Sequence, residues 1–279
     1  MPTPPPTGPL VTRDALAKQL RLLGVRTGEI LLAHTSLSSL GWVNGGAVAV
    51  VQALLDALGP DGTLVVPTQS GDLSDPAGWG NPPVPEEWWA TIRATMPPYD
   101  PRTTPSRGVG VLPETLRTWP GALRSAHPQT SFAAVGPRAA ELLDGHEPDC
   151  RLGERSPLAR LEQLHARVLM LGTGYATCTS FHLAEYRIPA PRVRVGRPAP
   201  GGGWEEITEV SITSDRFDEL GHDFERDRPV VVRGTVGAAE ARLFQVAEAV
   251  AYAERWLAVH RPREEEIQPP GRPGDGRRP

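Results

Sequence analysis

Each thing the sequence has little of narrows what the protein can be. Its 279 residues include two cysteines, Cys150 and Cys178. These are too few for a disulfide framework, and their spacing fits no zinc pattern. No apolar run approaches the length of a membrane-spanning helix, so no membrane partner is expected. A basic surplus is missing too. The formal net charge is -4, which argues against a nucleic-acid partner, because such proteins usually carry a basic face. The first ten residues, "MPTPPPTGPL", lack the basic and apolar regions of a signal peptide. A reducing cytoplasm is the expected location. No internal repeat is found.

What is present is a globular chain. Hydrophobic residues make up 39% and charged residues 22%, enough for a sizeable core. The proline-rich residues 1–11 read as a disordered lead-in. Residues 263–279, ending in "PPGRPGDGRRP", read as a disordered tail. Between them, 12–262 is expected to form a single domain.

The pattern along that domain is α/β. Thr12 can cap a helix over "RDALAKQLRLL", where Leu16, Leu20 and Leu23 keep helical spacing and Gly24 supplies a stop. A strand at 29–33, a polar Gly-rich loop, a helix at 47–58 and a strand at 63–68 follow. That alternation predicts two parallel strands joined by a right-handed crossover. Residues 69–107 break the rhythm with many Gly and Pro and one short helix near 86–95. A loop this long is usually functional or disordered, and Trp79, Trp88 and Trp89 favour a packed one. Further elements are predicted at 110–119, 130–136, 137–144, 156–165 and 167–172. Beyond them, "RVRVGRP", "GGGWEEITEVSI" and "PVVVRGTVG" read as antiparallel strands around a helical "RFDELGHDFER". A long helix is predicted over 238–260. The expected fold is a mixed central sheet flanked by helices, with an antiparallel C-terminal portion.

The chemistry concentrates in "TGYATCTSFHLAEYRI", 173–188, just after the strand "RVLMLG". In open α/β sheets the ligand crevice lies past the carboxyl ends of strands. Thr179 or Ser180 can cap a helix over "FHLAEYRI", and His182 and Glu185, three apart, share its face. A carboxylate beside an imidazole fixes its tautomer and raises its basicity, which makes a general base. Three other readings fit the same window. His-x-x-Glu occurs in metal-carboxylate sites, but these need a second such pair, and none is seen. Cys178 can be a nucleophile with His182 as base, although small buried Cys is the common case. The blandest reading is a helix cap with a surface ion pair.

Seven segments in order tip the balance: "LLAHTSLSSLGWVNGG", "LLDALGPDGTLVVPT", "PSRGVGVLPETLR", "RSAHPQTSFAAVG", "SPLARL", "VLMLGTGYATCTSFHLAEY" and "RGTVGAAEARLF". Together they span about residues 12 to 260, and they resemble the antibiotic, or aminoglycoside 3-N-, acetyltransferase family. The resemblance implies acetyl transfer from acetyl-CoA to an amine of an aminoglycoside, a cationic small-molecule partner, with no metal. It implies that His182, in the family's H-x-A-E segment, is the general base. Glu185 and Asp215 are then the carboxylates that can orient it. A second family carboxylate falls at Thr213, so that role is lost or covered by Asp218 or Glu209.

Direct attack needs no covalent acyl-enzyme. Backbone N–H groups at a helix start, or hydroxyls such as Ser36, Ser106 or Thr179, can meet the oxyanion. The cofactor loop is expected at Thr35, Ser36 and Ser38. Ser106, Arg107 and Gly108 make a phosphate contact, and His127 is a weaker cofactor-side candidate. Without the resemblance, His34 and His127 read as structural histidines. Asp72 or Asp75 is expected to meet the cationic substrate, with Trp42 and Trp79 at the same mouth. Two alternatives stay open: a biosynthetic N-acyltransferase of another natural-product amine, and a metal-dependent hydrolase using His182 and Glu185. So does the oligomeric state, monomer or homodimer.

Overall fold

Thr12 caps the first helix as its sequence predicts, with its hydroxyl accepting the Ala15 N–H and Gly24 closing the far end in the left-handed region at φ 108°. The structure is a computed structural model and describes residues 8–261. In chain order the elements begin with α1 (Arg13–Leu23), β1 (Ile30–Thr35), α2 (Gly46–Leu58), β2 (Thr63–Pro67), α3 (Trp89–Thr95) and α4 (Val111–Arg117). Next come β3 (Leu123–Arg124), β4 (Phe132–Val135), α5 (Ala139–Leu143), α6 (Pro157–Gln163), β5 (Arg167–Leu171) and α7 (Phe181–Glu185). The chain closes with β6 (Arg192–Pro198), β7 (Trp204–Val210), α8 (Phe217–Asp227), β8 (Val232–Val236), β9 (Ala239–Gln245) and α9 (Val246–His260).

Seven strands form one mixed sheet in the order β3-β4-β2-β1-β5-β9-β8. Its centre is parallel: β1 pairs with β2 and with β5, His34 lying opposite Met170. Both flanks are antiparallel. The period-two geometry of a strand divides the core. Leu32, Val65, Val168 and Met170 face one apolar cluster, with residues of α5 to α9. Leu31, Ala33, Leu64, Val66 and Leu169 face the other, with α1, α2 and α4.

Two expectations change. The long helix predicted over 238–260 is a strand followed by a helix. Ala239–Gln245 is rich in helix formers, yet it pairs antiparallel with both β5 and β8. Burying Ala241, Leu243 and Phe244 inside the sheet outweighs local helix preference. The antiparallel C-terminal strands are also divided between two sheets. β6 and β7 pair only with each other, while β8 reaches the main sheet through β9.

Among the described residues, the last residue of the stretch read as lead-in packs into the fold. Val11 is buried and bridges to Val43. The rest of the lead-in before Gly8, and the tail at 263–279, lie outside the described residues. Among the described residues no helix is long and apolar enough to cross a membrane.

Candidate active site

α7 is a single short helix, and it sets His182 and Glu185 one turn apart. Nδ1 of His182 lies 2.6 Å from Oε2 of Glu185. Glu185 has no exposed surface, and its other oxygen, Oε1, accepts the Thr213 N–H at 3.0 Å and the Arg261 guanidinium. A carboxylate ringed by donors is an acceptor only. Nδ1 therefore donates to it, and the lone pair of the imidazole sits on Nε2. Phe217 flanks the ring, centroid to centroid 4.8 Å. A carboxylate that fixes a tautomer in this way leaves the far nitrogen ready to take a proton.

His182 lines a cavity of about 870 Å³ at the carboxyl ends of β1, β2 and β5. This is the crevice position expected for an open α/β sheet, and the volume suits a sizeable small-molecule ligand. Of the expected cofactor residues, Thr35, Ser36, Ser38 and Gly108 line it, and so does Trp42 from the substrate set. Ser36 is held by its neighbours: its hydroxyl is 3.2 Å from Ser38 and accepts from Ser39 at 2.9 Å. Ser39 also reaches the Gly172 carbonyl at 3.1 Å. Gly172 sits at φ 70°, and a Cβ there would come within 2.5 Å of Ser39. The glycine lets the serine loop close against the end of β5.

The remaining expected residues lie off the cavity wall. Ser106 gives both its N–H and its hydroxyl to Glu114, at 2.8 and 2.7 Å. Arg107 is exposed and pairs with the equally exposed Asp72 at 2.8 Å. Its N–H donates to the carbonyl of Gln69, a lining residue, so this pair sits at the rim. Asp75 is committed elsewhere. It accepts both arms of Arg93 at 2.6 and 3.2 Å and the Ala77 N–H at 2.9 Å. Trp79 donates its indole N–H to Ser74 at 3.0 Å, as the packed-loop reading of 69–107 suggests.

His127 is wholly buried, its Nδ1 accepts the N–H groups of Gln129 and Thr130, and its ring lies tilted against His146, centroid to centroid 4.8 Å. Burial holds its pKa well below the usual histidine range, and it does not line the cavity.

The third carboxylate, Asp215, is exposed; its N–H donates to Thr213 at 3.1 Å, while Glu185 is the acid bonded to His182. Neither residue considered as cover for Thr213 lines the cavity. Glu209 is buried and accepts the Arg151 and Val210 N–H groups. Asp218 accepts the Ala176 N–H at 2.8 Å and pins the turn beneath α7. Cys178 is fully buried, 3.2 Å from Ser180, and burial pushes its thiol up to about 11. It is a thiol at neutral pH, away from the cavity wall, and a poor nucleophile.

Two site residues escaped the sequence reading. Arg261 supplies the charge behind Glu185 from the far end of the chain, a contact no local spacing can reveal. His34, read as structural, lines the cavity on the end of β1. Burial first, and the neighbouring His182 second, lower its pKa to about 4.

The chain is similar to known proteins in both sequence and fold. A family model described as aminoglycoside 3-N-acetyltransferase matches residues 32–258. The prophage-derived aminoglycoside N(3')-acetyltransferase-like protein YokD of Bacillus subtilis is 46% identical over 252 residues, covering 88% of this chain and 92% of that protein. Its crystal structure superposes with a TM-score of 0.88, covering 91% of this chain and 96% of that one. Aminoglycoside N(3)-acetyltransferase VIII of Streptomyces fradiae is 37% identical, covering 88% of this chain and 92% of that protein. A structure of AAC-IIIb in a binary complex with CoASH superposes with a TM-score of 0.76 at 34% identity, covering 89% of this chain and 97% of that one.

Proposed function

The chain belongs to the aminoglycoside 3-N-acetyltransferase family, and from that membership we propose that it moves the acetyl group of acetyl-CoA onto an amine, the 3-amino group, of an aminoglycoside by direct attack. The observation that carries this reading is the His182–Glu185 pair set in the wall of a cavity with a hydroxyl-rich loop. Acetyl-CoA is a co-substrate, consumed at every turnover. The relative with CoASH bound shares this fold.

The chain's own residues account for each need of the reaction. An aminoglycoside amine is largely protonated at neutral pH, and an ammonium has no lone pair. Nε2 of His182 takes its proton, and Glu185 and Arg261 hold the ring while it becomes charged. The freed nitrogen bonds to the acetyl carbon, and the carbonyl electrons move to oxygen. Their return expels the CoA thiolate, which His182 reprotonates, and the nitrogen releases its second proton to solvent as the amide forms. Thr35, Ser36, Ser38 and Gly108 hold the CoA arm along the cavity, with Arg107 at the rim for phosphate.

Between the two acidic candidates for the acceptor, Asp72 is preferred. Among the described residues its one ion-pair partner is an exposed arginine, which an incoming ammonium can displace, whereas Asp75 is locked to Arg93. Trp42, about half exposed on the cavity wall, offers the acceptor an apolar face. Thiol release from acetyl-CoA against a panel of aminoglycosides, with mass spectrometry of the products, tests the reading. Acetylation at one amine is expected. No thiol release with any acceptor refutes it.

A further inference from the structure

We propose that His34 is a second catalytic imidazole, a neutral donor whose Nε2–H holds the acetyl carbonyl oxygen as it becomes an oxyanion. The inference rests on the acetyltransferase reading and adds to it the residue that receives the developing charge.

Position comes first. His34 is the fifth residue of β1 and pairs with Met170 of β5. By strand alternation it stands on the same side of the sheet as Leu32, and Leu32 and Met170 share their cluster with Phe181 and Ala184 of α7. His34 therefore lies on the face that carries His182, and both rings line one cavity. Substrate held against His182 is bounded on the sheet side by His34.

Satisfaction comes second. His34 is 5% exposed, and its Nε2 is buried with no hydrogen-bond partner among the described residues. Leaving such an atom unpaired costs about 1–3 kcal/mol. A hydrophobic residue would fill the same strand position without that cost. The cost is offset if the nitrogen meets its partner only when the reacting group is in place. Two hydroxyls of the same wall, Thr35 Oγ1 and Thr173 Oγ1, are buried and unbonded in the same way. Three such atoms therefore belong to residues that line this one cavity.

Charge comes third. When His182 takes the amine proton it becomes an imidazolium. A second imidazolium in the same wall would repel it, and burial keeps His34 neutral through the pH range of the reaction. A neutral imidazole can still donate from Nε2. In the step itself the amine nitrogen forms a bond to the acetyl carbon, the carbonyl π pair moves to oxygen, and the His34 N–H donates to that oxygen. The pair then returns, the C–S bond breaks, the thiolate takes the proton from His182, and the nitrogen releases its second proton to solvent as the amide forms. His34 neither gains nor loses a proton. Its effect belongs to the transition state, where a preorganised donor lowers the barrier.

The test compares wild type, His34→Ala and His34→Gln, whose side-chain amide can place an N–H near the lost Nε2–H. His34→Ala is expected to lower kcat by about 10²–10³-fold, with KM for both substrates within about threefold of wild type. His34→Gln is expected to regain about tenfold of the loss. A second measurement needs no variant. In wild-type protein with 15N-labelled histidine, the Nε2–H resonance of His34 should move in the complex with the ketone analogue of acetyl-CoA, where a methylene replaces sulfur. It should not move in the complex with CoA alone. A folded His34→Ala enzyme with wild-type kcat overturns the proposal. So do identical His34 spectra in the two complexes, and that comparison decides alone if the variants do not fold. A wild-type protein that releases no thiol with any acceptor instead defeats the acetyltransferase reading itself.

Discussion

Nδ1 of His182 lies 2.6 Å from Oε2 of Glu185, a carboxylate with no exposed surface. The contact lies within one helical turn, yet it depends on distant parts of the chain, because Thr213 and Arg261 hold the other oxygen. His182→Ala should lower turnover on the order of 10²–10⁴-fold while acetyl-CoA binding stays close to wild type. Glu185→Gln removes the anion from both His182 and Arg261. It should lower turnover and also stability, by about 3 kcal/mol, because a buried cation loses its partner. Steady-state kinetics and urea melts check both, and full turnover in the His182 variant would remove the assigned base.

Cys178→Ala should stay active. The thiol is buried against Ser180 and remains protonated at neutral pH. The variant loses packing and should unfold at slightly lower urea, at a cost of about 1–2 kcal/mol. A well-folded variant with no turnover would revive the covalent route.

Acid should destabilise the protein through its buried histidines. His34 and His146 have pKa values lowered to about 4, and His127 is held well below the usual histidine range, in each case first by burial. In the unfolded chain these rings titrate near 6.5. The unfolded state therefore binds more protons as pH falls below that value, and stability drops progressively down to about pH 4. His34 and His146 each contribute on the order of 3 kcal/mol of that loss. Denaturation at stepped pH checks the slope. Replacing His146 with Gln, which can still bond Ser125 and the Arg151 carbonyl, should flatten it.

Gly221→Ala should be costly although the change is a single methyl. Gly221 lies on α8 where Tyr175 presses against the helix, and an added Cβ would fall 1.9 Å from the tyrosine ring. Tyr175 begins the turn that carries Ala176 and Thr177 into the cavity wall. A loss of about 1–3 kcal/mol is expected, with raised KM for the acceptor or acetyl-CoA. Thermal melts and kinetics of the same preparation measure both.

The elements that could be read from the sequence are those whose signals are local. Thr12 and Gly24 bracket α1, Ser156 and Pro157 open α6, and the β-branched and leucine runs at 30–35 and 167–171 mark β1 and β5. The His182–Glu185 pair was legible because both members sit on one helical turn. β9 was not, because its alanines, glutamate and arginine favour a helix and only pairing on both sides makes it a strand. Arg261 was hidden because it lies 76 positions from the carboxylate it meets. His34 looked like any loop histidine until the sheet put it beside His182. Asp75 and His127 misled for the opposite reason: their partners, Arg93 and His146, engage them away from the cavity.

Arg261 follows the last turn of α9, so on the proposed mechanism that helix serves the reaction through its end as well as through its packed face. A chain cut back to His260 would keep every strand and helix described above, yet it would strip the counter-ion from the buried acid bonded to His182.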